Sequence, residues 1–105
     1  MTELRLAELI AALSQTTDLG MGQPPETAIR TCLLATALAH RMNLADQEVG
    51  DVYYTTLLQH VGCTAYAHET ARIFGGDDIA LRAAGAAIDF ENPREALPYL
   101  SLIHI

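Results

Sequence analysis

The chain has 105 residues, of which 50% are hydrophobic and 18% charged, and its formal net charge is −7. That length supports a single compact domain. The apolar share excludes intrinsic disorder, because enough apolar surface is available to offset the entropy lost on ordering. The acidic balance argues against a nucleic-acid partner, which requires a cationic face. All six cations are arginines, so chemistry that depends on a lysine amine is excluded.

The first two helices are predicted from apolar spacing and from the breakers between them. One face of the first helix carries Leu6, Leu9, Ile10 and Leu13. Thr2 is in position to cap this helix, and the glycines and prolines of residues 17–25 predict that it stops before residue 17. Pro25 suits the start of a second helix, which runs to about Met42 and places Cys32 and Leu33 on its apolar side. Asn43 then suits a left-handed stop.

The third and fourth helices follow at once. Asp46 and Glu48 favour the start of the third, because acidic side chains stabilise the positive end of a helix. Gly62 is predicted to end it. The fourth is predicted from about Thr64 to Phe74, where two glycines stop it.

The last third of the chain predicts two more helices. Asp77 caps the first of them, which extends through Ile88. Asn92 and Pro93 begin the second, and Pro98 is predicted to disturb it after barely a turn. No alternation of apolar and polar residues is long enough for a strand. The sequence therefore predicts an all-α fold, a compact bundle of five or six short helices forming one domain over residues 1–105.

Two further features bear on location and partners. Cys32 and Cys63 are the only cysteines, and without secretory features at the N-terminus we expect reduced thiols and a cytoplasmic protein. No run approaches the ~18 apolar residues of a membrane span, so no membrane partner is expected. The apolar segment 99–105 is expected to pack on its own domain, on a second copy or on further chain, which predicts a homodimer or a fused or partner signalling domain.

The most distinctive pattern lies between Ala45 and Cys63, where the chain reads ADQEVGDVYYTTLLQHVGC. It resembles the HD superfamily of metal-dependent phosphohydrolases, and within it the HD-GYP branch, whose corresponding helix ends in Leu-Leu-His-Asp-Ile-Gly-Lys. Residues 28–39 are similar to that family's first core helix. Residues 20–24 and 74–78 resemble a variant found in bacterial regulators, where the HD-like part precedes other domains. The resemblance covers about residues 6–100 and implies the N-terminal part of an HD-like fold.

The family's catalytic residues are replaced at the matching positions. The early histidine falls on Thr27, the His-Asp pair becomes Gln59 and His60, and the lysine becomes Cys63. A glutamine amide is a poor ligand, and a histidine cannot supply the bridging carboxylate. The later histidines and the Gly-Tyr-Pro loop have no counterpart in these 105 residues. The resemblance therefore implies a degenerate relative with no catalytic residues, in which Thr27, Gln59, His60 and His68 line a vestigial or small-ligand site.

Two hypotheses for function stay open. In the first, this is a non-catalytic HD-like regulatory or interaction domain without cofactor, which self-associates or senses a small ligand for a larger signalling protein. In the second, it is a metal-dependent phosphohydrolase with a rearranged ligand set that uses a divalent metal. For that alternative the candidate ligands are His60, Cys63 and His68, although their spacing matches no standard zinc motif.

Overall fold

The computed structural model describes residues 3–103, with the side chain of residue 103 excepted. Every regular element in this range is helical, which confirms the all-α prediction. The elements are α1 (Leu6–Gly20), α2 (Thr27–Arg41), α3 (Asp46–Leu57), α4 (Val61–Thr64), α5 (Ala67–Phe74), α6 (Asp78–Gly85) and α7 (Pro93–Ile103). Since α4 is a single turn, six longer helices remain, in agreement with the five or six that the sequence predicts. The predicted cap Thr2 lies outside the described residues.

The chain divides into two compact units, the first holding α1 to α4 and the second α5 to α7. In the first unit α2 packs chiefly against α3, and α1 contacts both. The buried apolar side chains of this unit are Ala28, Cys32, Ala39, Val49 and Leu57. Because those on α2 are small, the helix backbones can approach closely. That a single domain spans residues 1–105 stays a prediction.

The predicted end of α1 is wrong, because the helix continues through residue 17 to Gly20. Its last turn is held by two polar side chains that the surrounding helices bury. The Thr17 hydroxyl donates to the carbonyl of Ser14, and the Asp18 carboxylate accepts from a backbone N–H of α2. The Asp18 side chain is therefore directed to another helix and does not compete for the backbone groups of α1, while the Thr17 hydroxyl bonds back to a carbonyl of α1 without ending it.

The boundaries of α2 and α3 agree in part with the sequence. Asn43 has φ 55°, so the left-handed stop after α2 is confirmed. Pro25 does not occupy the first helical position, since α2 begins at Thr27. The third helix ends at Leu57, five residues before the predicted Gly62, and α4 follows after a turn.

In the second unit the predicted end of α5 and the predicted cap of α6 are confirmed. Gly75 ends α5 with φ 71°, and the Asp77 carboxylate accepts from the N–H of Ala80 at 3.0 Å. However, α5 begins later than predicted, at Ala67, and α6 ends at Gly85, before Ile88.

The predicted disturbance at Pro98 is also wrong, because α7 begins at Pro93 and runs through Pro98 to residue 103. Tyr99 anchors the helix beyond the proline. Its hydroxyl donates to the carbonyl of Leu81 at 3.0 Å, and its ring meets that of Phe90 edge-on at 5.5 Å. Tertiary contact thus outweighs the one backbone hydrogen bond that a proline removes. None of the helices in residues 3–103 has the length and hydropathy that crossing a bilayer requires.

Candidate functional site

The loop between α1 and α2 is organised by one buried carboxylate, Asp18, whose side chain is 0% exposed. Both of its oxygens lie near the backbone nitrogen of Ala28, at 3.2 and 3.1 Å, and accept its N–H. Ala28 lies in the first turn of α2, where helical N–H groups have no partner within the helix. Asp18 therefore caps α2 from a neighbouring helix. The sequence pattern does not indicate this role, because residue 18 lies within the glycine- and proline-rich segment 17–25.

Thr27, which the resemblance aligns with the family's early histidine, is the first residue of α2 and is half-buried. Its hydroxyl donates to the carbonyl of Pro24 at 2.7 Å, and the backbone N–H of Thr27 contacts the same oxygen at 3.3 Å. The side chain thus closes the turn before α2. Its proton is directed to a carbonyl, so this hydroxyl is committed to local structure.

The two residues that the resemblance aligns with the family's His-Asp pair lie in the turn between α3 and α4. Gln59 is exposed, and His60, which is half-buried, precedes the single turn of α4. The carbonyl of His60 accepts from the N–H and hydroxyl of Thr64. Within residues 3–103 the imidazole of His60 has no hydrogen-bond partner, so nothing there holds the ring in a ligand-like orientation.

Cys63 and His68 are the remaining residues that the sequence predicts to bind a metal or line a ligand site. Cys63 lies on α4 in the first unit and is exposed as a free thiol. His68 is exposed on α5 in the second unit. A hollow of about 300 Å³ on α5 is lined by Glu69, Arg72 and Ile73. None of the predicted ligand-lining residues contributes to it.

The donor groups do not fit the metal ions that the HD resemblance implies. Throughout the described part of the chain, no three side chains of the types His, Cys, Asp and Glu are grouped so as to hold a metal ion. Asp18 is a buried carboxylate whose two oxygens share the Ala28 N–H, and among the described residues it belongs to no group of three such side chains. The hypothesis of a site at His60, Cys63 and His68 gains no support from this arrangement and stays a prediction.

Acidic side chains elsewhere in the first unit cap helices or face solvent. The Glu48 carboxylate accepts from the N–H of Ala45 at 2.9 Å, which closes the start of α3. Asp51, one turn further on, is exposed and lies 3.4 Å from the amide nitrogen of Gln47. Glu48 is thereby committed to its own helix, which leaves no paired acid and base at this position.

The surroundings of the buried Cys32 thiol change its pKa. Burial raises the pKa of this thiol above the ordinary value of 9.0, and the neighbouring Thr36 hydroxyl partly opposes that effect. Its sulfur lies 3.5 Å from the carbonyl of Tyr53 on α3. Cys32 is thus a neutral packing residue at the contact between α2 and α3 and a poor nucleophile.

One curated relative is similar to most of this chain. Over 77 residues, which make up 73% of the chain, the sequence is 31% identical to the 3′3′-cGAMP-specific phosphodiesterase 3 of Vibrio cholerae. The chain spans only 17% of the length of that protein. The similarity is consistent with an HD-superfamily member. No protein-family model matches the chain, and no solved structure matches it.

Proposed function

We propose that this chain is a non-catalytic HD-like domain that serves a cytoplasmic signalling protein by regulation or interaction, through self-association or the sensing of a small ligand. The observation that carries the proposal is the loss of the family's ligand set at the positions of Thr27, Gln59 and His60. The similarity to a phosphodiesterase supports the relationship, and the lack of any group of three His, Cys, Asp or Glu side chains placed to hold a metal ion within residues 3–103 supports the loss of catalysis.

None of the three positions that the resemblance assigns to the family's ligands holds a negatively charged side chain. The Thr27 hydroxyl is neutral and donates to Pro24, and the Gln59 amide is neutral and exposed. Divalent ions of the hard type favour carboxylate oxygen, and a pair of ions additionally needs an anionic bridge. His60 can supply a single imidazole nitrogen, which provides neither a carboxylate oxygen nor an anionic bridge.

The experiment measures metal and turnover on the same purified, untagged protein. Metal content is determined by mass spectrometry, and hydrolysis of 3′3′-cGAMP is followed with Mg²⁺, Mn²⁺ or Fe²⁺ added. We expect less than stoichiometric metal and no hydrolysis above the protein-free blank. Stoichiometric metal together with turnover that His60→Ala abolishes would overturn the proposal. His40→Ala is the matched control, since His40 is exposed on α2 and matches no ligand position.

The second candidate is a metal-dependent phosphohydrolase with a rearranged ligand set that includes His60 and His68. The phosphodiesterase similarity is the observation that favours it. It requires that substitution of either histidine lowers bound metal and turnover together. Loss of turnover without loss of metal would exclude the ligand role for that histidine.

A further inference from the structure

The outward side of α2 carries an unusual combination of leucines and arginines. This surface, called here the outer face of α2, consists of Glu26, Arg30, Leu33, Leu34, Ala37 and Arg41. These residues follow one another at steps of three and four along the helix or sit beside that row, so they share one side of it. The buried residues Ala28, Cys32 and Ala39 mark the opposite side.

The outer face is exposed along its whole length. Leu33 and Leu34 are 64% and 75% exposed, and Ala37 and Arg41 are also exposed. The sequence pattern places Leu33 on the apolar side of the helix with Cys32, yet the structure leaves Leu33 exposed. A leucine patch of this kind at the centre of a helix, with charges at both ends, is typical of a helix-packing surface.

The charges at the two ends of the outer face are complementary to one another. Glu26 lies at the beginning of α2, where its carboxylate is 3.8 Å from the guanidinium of Arg30. Arg41 lies at the other end and forms no ion pair within residues 3–103. Two such helices packed antiparallel place each Arg41 beside a glutamate and align the helix dipoles favourably.

We propose that the outer face of α2 binds the same face of a second copy of this chain, antiparallel and about a two-fold axis. Pairing Arg41 with the partner's Glu26 brings Leu33 opposite the partner's Leu34, so one register satisfies both the charges and the leucines. A two-fold axis makes each contact occur twice. The outer face of α2 would thus be the surface for the self-association proposed above, and the inference rests on that proposed function.

The overall charge favours this face over most others. With a net charge of −7, two copies repel one another at long range. Within residues 27–41 the chain has two arginines and no acidic side chain, so α2 can approach a second acidic copy at low electrostatic cost. A helix of 15 residues is about 22 Å long. One such helix pair buries less than the ~1,200 Å² of a stable interface, and we therefore expect a weak dimer.

The test is sedimentation equilibrium of the full chain and its variants from about 10 µM to about 1 mM. We expect a concentration-dependent dimer in the wild type. Leu33→Glu should raise its dissociation constant at least tenfold, since it places a charge at the centre of the contact. Leu97→Glu is the matched control, because Leu97 is 66% exposed on α7 and outside the outer face. Far-UV circular dichroism verifies that each variant keeps its helices.

Charge reversal tests the register. Arg41→Glu alone and Glu26→Arg alone should each weaken the dimer, because like charges then face one another across it. The double variant should restore the dissociation constant to near the wild-type value. If Leu33→Glu leaves the dissociation constant of the dimer unchanged, or if the double variant binds as weakly as the single variants, the proposed face is wrong while self-association stands. A wild-type monomer at every concentration overturns both, and the metal and turnover measurements decide the loss of catalysis independently.

Discussion

Replacing the buried carboxylate of Asp18 tests whether a single side chain holds the start of α2. In Asp18→Ala the N–H of Ala28, itself 0% exposed, loses its acceptor. Loss of a helix cap costs about 1 kcal/mol, and a buried donor without a partner costs about 1–3 kcal/mol. Because the two figures describe overlapping parts of one contact, we expect the free energy of unfolding to fall by about 2–3 kcal/mol.

The assay is urea unfolding followed by far-UV circular dichroism, combined with hydrogen exchange at the Ala28 amide. Asp18→Asn keeps one acceptor oxygen and should lose about half as much stability. Asp51→Ala is the control, since Asp51 is exposed and should change stability by less than about 0.5 kcal/mol. If Asp18→Ala unfolds like the wild type and the Ala28 amide remains equally protected, the capping role is refuted.

Three further predictions concern thiols, pH and glycines. In native protein a thiol reagent should modify Cys63 rapidly and Cys32 only after unfolding in urea; fast modification of both would contradict the burial of Cys32. Because burial raises the pKa of the Cys32 thiol, this thiol loses its proton at lower pH in the unfolded chain than in the folded one. Its contribution to the free energy of unfolding should therefore be constant below about pH 9 and decline above it. Cys32→Ser should flatten this alkaline decline in unfolding experiments. Gly50→Ala should raise stability by about 0.5–1 kcal/mol, since its new methyl meets nothing within 4 Å and α3 becomes stiffer. Gly85→Ala should instead lower it by about 1–3 kcal/mol, because the methyl lies 2.7 Å from the anchored Tyr99 hydroxyl. Thermal unfolding measures whether each substitution raises or lowers the stability.

Local chemistry in the sequence determined the helical class and about half of the helix boundaries. Asn43 and Gly75 adopt the left-handed conformation at the positions predicted for helix stops. Asp77 caps α6 through its own carboxylate. These features depend on residues a few positions apart, so they can be inferred from the sequence without knowledge of the packing.

The lengths of helices and the exposure of their faces were decided by tertiary contacts. Asp18 extends α1 because its partner is ten residues away on another helix, and Tyr99 carries α7 past Pro98 by reaching Leu81. No local pattern contains those pairs.

Some features of the candidate site can likewise be inferred from the sequence, whereas others depend on how the helices pack. The sequence and its resemblance alone predict that Thr27, Gln59 and His60 replace the HD ligands. That the Thr27 hydroxyl closes a turn, and that Leu33 faces outward beside a buried Cys32, follows only from how the helices pack. Periodicity identifies an apolar side of a helix, but the neighbouring elements decide how much of that side they cover.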